Sequence, residues 1–148
     1  MGAGNKKGFI GLECKFTDDF STKEYHKPKY QEIYNKSERF ASAYEDFIVS
    51  RYNQLFRNQL MAEALVINGV YDFVHTGLFC HPDDEKALKI ANEFRSMLSE
   101  GEEHFHIITY QDFLDAAQRL ELSRDKREML WMLWARYCGT ALSERAHQ

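Results

Sequence analysis

The sequence contains no apolar run long enough to cross a membrane as a helix, for which about 18 residues are needed. Its opening segment, MGAGNKKG, leads into a short apolar stretch that Glu13 interrupts, so a secretory signal is not expected either. A myristoylation signal is also missing, because Lys6 stands where that signal has Ser or Thr. We therefore expect a cytoplasmic protein without a membrane partner.

Cysteine is scarce as well. Cys14, Cys80 and Cys138 are odd in number, widely spaced and surrounded by apolar residues, as is typical of buried free thiols in a reducing compartment. The neighbouring Cys80 and His81 have no second Cys or His pair at zinc-site spacing. We predict neither a disulfide nor a zinc site.

Residues that interrupt helices and strands are few, since the 148 residues include two prolines and eight glycines. No internal repeat, low-complexity tract or linker divides the sequence, and a hydrophobic content of 44% is sufficient for a compact core. We expect residues 1–148 to form a single domain.

The net charge of -4 taken alone argues against a nucleic-acid partner. Its distribution is uneven: residues 1–57 hold ten Lys or Arg against eight Asp or Glu, whereas residues 58–148 hold nine against fifteen. The basic excess of the first part is consistent with a polyanion bound nearby, and equally with solvated loops and helix faces.

The pattern of residue types predicts alternating strands and helices. Residues 9–16 alternate in the manner of a strand, and residues 71–80 and 104–110 are rich in aromatic and β-branched residues. Helices are predicted from residue 28, as one long helix over residues 42–67, from residue 82, from residue 109 and over residues 123–139. Thr109 and Asp112 form a capping-box pattern at the fourth of these. The order predicts an α/β fold, in which helices flank a mixed sheet of three or more strands with some parallel pairing.

One charged pair interrupts the first strand, in the segment GFIGLECKF. Glu13 and Lys15 are two positions apart, so their side chains leave the same side of the strand. A carboxylate is a suitable ligand for Mg²⁺, and an ammonium beside it can orient a water and stabilise the charge that develops when a phosphodiester is attacked. The same alternation is also typical of a strand with one exposed face, so the pair alone leaves both interpretations open.

The strand that ends in E-C-K, followed by a polar loop and a long helix with QLFRN, resembles the PD-(D/E)xK nuclease superfamily. The resemblance implies a partial restriction-endonuclease-like fold in which Glu13 and Lys15 match the (D/E)-x-K signature and Gln54 matches the glutamine of the Q-x-x-x-Y motif. Asn58 stands where that motif has tyrosine. It further implies that Glu13 binds Mg²⁺, with Mn²⁺ as an alternative, that Lys15 and Gln54 complete the catalytic set, and that DNA is the partner.

The chain departs from the superfamily pattern at one point. In that pattern an aspartate on the preceding strand completes the metal site, but the twelve residues before Glu13 contain no acid. We therefore expect a domain that lacks its N-terminal part, or one that recruits Asp18, Asp19 or Glu38 as the second acid. An absent neighbouring strand would leave the first strand with an open edge, at which a second copy or a partner chain could pair.

Two functions follow from these features. The first is a metal-dependent DNA endonuclease, whose activity the missing aspartate would weaken. The second is a non-catalytic module that keeps the nuclease fold and binds DNA or another protein.

Overall fold

The computed structural model describes residues 5–16 and 18–138. Within these ranges the chain forms three strands, β1 (Gly8–Cys14), β2 (Phe73–Cys80) and β3 (Phe105–Thr109). The helices of the same ranges are α1 (Pro28–Lys36), α2 (Tyr44–Phe47), α3 (Ser50–Ile67), α4 (Glu85–Ser96), α5 (Gly101–His104), α6 (Tyr110–Gln118) and α7 (Arg124–Tyr137).

The strands form one sheet in the order β1-β2-β3, and both neighbouring pairs are parallel. Glu13 is in register with Leu78, which is in register with Ile107. Helices α1 to α3 connect β1 to β2, and α4 and α5 connect β2 to β3, as parallel pairing requires. The predicted α/β fold is confirmed, and its sheet is parallel throughout the described strands.

The prediction of one helix over residues 42–67 is wrong. Val49 has an extended backbone with φ of -65° and ψ of 148°, so α2 ends and α3 begins afresh at Ser50. The break turns Phe47 into the core, where its ring stacks on Phe56 with the centroids 5.0 Å apart. The predicted end of the helix is confirmed, since Asn68 caps α3 and Gly69 follows with a φ of +69°.

The predicted capping box at α6 is present, because the Thr109 hydroxyl accepts a hydrogen bond from the Asp112 amide and the Asp112 carboxylate accepts one from the Thr109 amide. Helix α7 begins one residue after Ser123, as predicted. The predicted end at Gly139 lies outside the described residues.

The core lies between one face of the sheet and helices α3 and α4. Leu78 and Cys80 of β2 and Phe105 of β3 contact it, together with a cluster of buried aromatic residues that includes Phe56 and Phe94. Because side chains alternate along β1, Glu13 and Lys15 lie on this inner face, whereas Ile10, Leu12 and Cys14 are exposed on the outer face.

At its carboxyl end, the outer face of the sheet meets α6 and α7. Phe16 and Phe79 line a cavity of about 230 Å³ there, together with Tyr110, Leu133 and Tyr137. In the part of the chain that the structure describes, no helix has the length and hydrophobicity of a membrane span.

Candidate active site

The Glu13 carboxylate lies near the carboxyl end of β1 and faces α3. Two amides one helical turn apart hold it: Gln54 Nε2 donates to Oε1, and Asn58 Nδ2 donates to Oε2 at 2.7 Å. The Glu13 side chain is 17% exposed. Its two oxygens are therefore oriented by hydrogen bonds and remain accessible from one side.

The Lys15 side chain is buried, with 2% of its surface exposed. Its ammonium lies near four oxygens: Gln54 Oε1 at 3.1 Å, the Asp19 carbonyl at 3.2 Å, Asp18 Oδ2 at 3.3 Å and Glu13 Oε1 at 3.4 Å. The nitrogen also lies 4.7 Å from the centre of the Phe20 ring. A buried charge is tolerated only when it is paired and hydrogen-bonded, and this cluster meets both conditions. The structure contradicts the interpretation of Glu13 and Lys15 as a solvent-exposed stripe.

Gln54 connects the two charged residues. Its oxygen accepts from Lys15 and from the Ser21 amide at 3.2 Å, while its nitrogen donates to Glu13. The structure therefore brings together Glu13, Lys15 and Gln54, the three site residues predicted from the sequence. Asn58 joins them through Glu13, on the helix face that its spacing from Gln54 predicts.

The backbone of Lys15 is held as firmly as its side chain. Its amide donates to the Phe79 carbonyl at 2.9 Å, which extends the pairing of β1 with β2 by one residue, and its carbonyl accepts from the Tyr110 hydroxyl. Burial raises the pKa of Tyr110 to about 12, so the phenol is a donor at neutral pH. Sequence reasoning missed Tyr110. The available signal was its place at the start of the helix after β3, because the carboxyl ends of parallel strands lie at one edge of the sheet.

The three acids considered as a second carboxylate have different surroundings. Asp18 faces Lys15, whereas the Asp19 carboxylate pairs with Lys86 at 2.8 Å and only the Asp19 carbonyl contacts Lys15. Glu38 lines a separate cavity of about 440 Å³ beside Glu63. Of the three carboxylates, that of Asp18 is the one that contacts the site.

Hydrogen bonds keep Asp18 ionised. Its pKa lies below the usual value because its own backbone amide, the Phe16 amide and then the Lys15 side chain stabilise the carboxylate. The Phe16 amide donates to Asp18 Oδ1 at 3.4 Å, which turns the carboxylate back towards the end of β1.

A cavity of about 710 Å³ adjoins the site between β1, α1 and α3. Its lining is mainly apolar, but Glu13 and Asn58 contribute polar groups and Lys29 and Arg57 contribute positive charge. The Arg57 guanidinium lies 4.4 Å from the centre of the Tyr25 ring, which supports it at the surface. A ligand in this cavity could reach the Glu13 carboxylate.

Another group of acids lies elsewhere. Among the described residues, Glu100, Glu103 and His104 place one ligand atom each within 4.8 Å of the others. The His104 ring lies 5.6 Å from that of His75, on the outer face of the sheet, so this group is separate from Glu13.

The fold and the site together define a restriction-endonuclease-like α/β protein, in which an acid and a lysine at the end of one strand face amides on the following helix. Consistent with this, residues 2–139 match the sequence profile of the PD-(D/E)XK nuclease superfamily. The match covers most of the chain, which therefore belongs to that superfamily and has a nuclease-like function. No curated protein and no solved structure matches the chain.

Proposed function

We propose that this protein is a metal-dependent nuclease that hydrolyses DNA phosphodiester bonds at a site formed by Glu13, Lys15 and Gln54. The observation that carries the proposal is the burial of Lys15 against the carboxylate of Glu13 and the amide of Gln54. Burial of an ammonium costs free energy, so the presence of this buried ammonium next to an acid in a member of a nuclease superfamily supports a catalytic role.

The residues fit the divalent ion that the superfamily implies. The oxygens around Lys15 come from carboxylates, an amide and a backbone carbonyl, which are the hard donors that Mg²⁺ and Mn²⁺ prefer. Glu13 would hold the ion, which when bound supplies positive charge beside the phosphate and lowers the pKa of a bound water.

The protein groups have separate roles in this proposal. Lys15 orients the attacking water and stabilises the negative charge that develops on the phosphate oxygens. Gln54 fixes the distance between Glu13 and Lys15 because it bonds to both, and Asn58 keeps the second oxygen of Glu13 in place. The new bond joins the water oxygen to phosphorus, and the bond from phosphorus to the leaving oxygen breaks with its electron pair on that oxygen. The attacking water loses a proton to solvent, and the leaving oxygen takes one up from solvent.

Cleavage of plasmid and linear DNA in Mg²⁺ or Mn²⁺ tests the proposal. Loss of charge stabilisation in Lys15→Ala is expected to lower the rate by about 100-fold or more. The matched control is Lys36→Ala, which removes an exposed lysine paired with Glu32 on α1. Equal cleavage by the wild type, Lys15→Ala and Lys36→Ala would show that the cleavage does not come from this site.

A non-catalytic DNA-binding module is the second candidate. The observation that favours it is that both Glu13 oxygens already accept hydrogen bonds within the protein. Binding of DNA that weakens steeply with salt, without cleavage in either metal, would support this candidate against the first.

The cytoplasmic location remains a prediction.

A further inference from the structure

We infer that Asp18 supplies the second carboxylate of the metal site, and that the Lys15 ammonium occupies the cation position of that site when no ion is bound. The inference rests on the proposed function and adds a residue to it. It also explains how a strand with a single acid can serve a site for which two are usual.

The carboxylates of Asp18 and Glu13 approach the same ammonium at 3.3 Å and 3.4 Å. The oxygens of the two carboxylates therefore cannot be farther apart than the sum of these two distances. The Gln54 amide oxygen and the Asp19 carbonyl complete the set at 3.1 Å and 3.2 Å. Four oxygens from three separate parts of the backbone thus converge on one positive charge.

One ammonium does not neutralise two carboxylates, so Glu13, Asp18 and Lys15 together carry a net negative charge. Opposite charge at this range favours binding of a cation, and the low exposure of Glu13 reduces the screening by water.

The Asp18 side chain is 66% exposed, so an ion can reach it from solvent without opening the core. Its carboxylate is also oriented by the Phe16 amide rather than free to rotate. Asp19, by contrast, directs its carboxylate to Lys86.

A divalent ion and the Lys15 ammonium would compete for the same donors, and both are positive. Replacement of Lys15 by methionine keeps most of the buried stem and removes the competing charge. The ion should then bind more tightly, even though the proposed catalytic ammonium is gone.

Binding of Mn²⁺ to the full chain without DNA tests the inference, with free Mn²⁺ measured by electron paramagnetic resonance. Loss of one carboxylate in Asp18→Asn is expected to weaken binding on the order of tenfold, and Lys15→Met to strengthen it by a similar factor. The control is Glu32→Gln, which should bind as the wild type does because it removes an exposed carboxylate that pairs with Lys36 on α1, outside this cluster. Far-ultraviolet circular dichroism and thermal unfolding of each variant verify that it is folded.

Equal Mn²⁺ affinity of Asp18→Asn and the wild type would overturn the assignment of the second carboxylate. An unchanged or weaker affinity of folded Lys15→Met would overturn the shared cation position. The expected Mn²⁺ pattern without DNA cleavage would support the inference while the proposed hydrolysis fails. Cleavage that requires Lys15, together with Mn²⁺ binding that does not depend on Asp18, would support the proposed hydrolysis and overturn the inference. If Mn²⁺ did not bind, or if its binding did not depend on Glu13, both the inference and the proposed function would be overturned.

Discussion

Lys15 shows how the site and the fold depend on each other. Its ammonium is removed from water, and the loss of hydration is offset by four oxygens and the face of Phe20. Removal of one partner of a buried ion pair costs about 3–5 kcal/mol, whereas replacement of the whole pair by apolar residues of similar volume is often neutral. Variants of Glu13 and Gln54 should therefore be assessed for folding before a loss of activity is assigned to chemistry.

Tyr110 gives a prediction about pH. Its pKa is raised by burial to about 12 from a usual value of 10, so the folded state holds the phenolic proton at a pH at which the unfolded state releases it. Its contribution is present in full below pH 10 and is lost as the pH rises towards 12. We expect the wild type to lose stability over this range, and Tyr110→Phe to lose less, in urea unfolding followed at several pH values.

A comparison at neutral pH separates the hydrogen bond from the ionisation. Tyr110→Phe removes only the hydroxyl that donates to the Lys15 carbonyl, and should lower the free energy of unfolding by about 1–2 kcal/mol. Tyr52→Phe is the control for pH, because the Tyr52 pKa is also raised to about 12 by burial and by the bond to Glu93. Identical pH profiles for the wild type and both variants would contradict the assignment of the loss of stability to the ionisation of these two phenols.

The sequence predicts site residues that lie close together along the chain or belong to a known motif, and it predicts less well those that meet only in the folded structure. Glu13 and Lys15 share a face because they are two apart on a strand, and the superfamily motif pointed to Gln54. The direction of that face was not predictable from alternation, because the apolar side, with Ile10 and Leu12, is the exposed one. The bond from Tyr110 to Lys15 joins residues 95 positions apart, and only their shared place at the carboxyl ends of parallel strands indicated that they could meet.

The same distinction holds for helices and strands. The parallel pairing of the strands was predicted from the helices between them. Gly69 predicted where α3 ends, and Thr109 predicted where α6 begins. The break between α2 and α3 has no glycine or proline to mark it. It arises from the burial of Phe47 against Phe56, which is a tertiary contact that overrides helix propensity.

Gly77 gives a prediction about the pairing of β2 with β3. A Cβ at this position would overlap the backbone carbonyl of His106, so the two strands could not remain at their spacing. Gly77→Ala should lower the free energy of unfolding by about 2–4 kcal/mol, as determined by urea titration.

The control for Gly77→Ala is Gly69→Ala. A Cβ at Gly69 meets no atom within 4 Å, and the cost there comes only from its positive φ. We expect a loss of about 1 kcal/mol for Gly69→Ala. Equal losses for the two variants would show that close approach of the strands is not the reason for glycine at residue 77.

At the scale of the whole molecule, the outer face of β1 is apolar and exposed. Ile10 is 68% exposed, and Leu12 and Phe16 are also accessible on this side. Strand β1 lies at an edge of the described sheet, so its backbone can accept another strand. We predict that a second copy pairs there, and that Ile10→Lys shifts the protein towards the monomer in sedimentation velocity at increasing concentration.

Leu120→Lys is the control for self-association. Leu120 is comparably exposed but follows α6, away from β1. It should sediment as the wild type does. A wild-type protein that stays monomeric over the whole concentration range would exclude pairing of two copies, and the open edge would then have to be covered by a different chain or remain uncovered.

The Tyr110 hydroxyl that holds the Lys15 carbonyl has a consequence during translation. Glu13 and Lys15 leave the ribosome first and Gln54 follows 39 residues after Lys15, but the phenol that holds the Lys15 carbonyl follows 95 residues after it. A nascent chain can therefore form the side-chain contacts of this charged pair before the phenol is available. The backbone of Lys15 should become fixed only once Tyr110 has emerged.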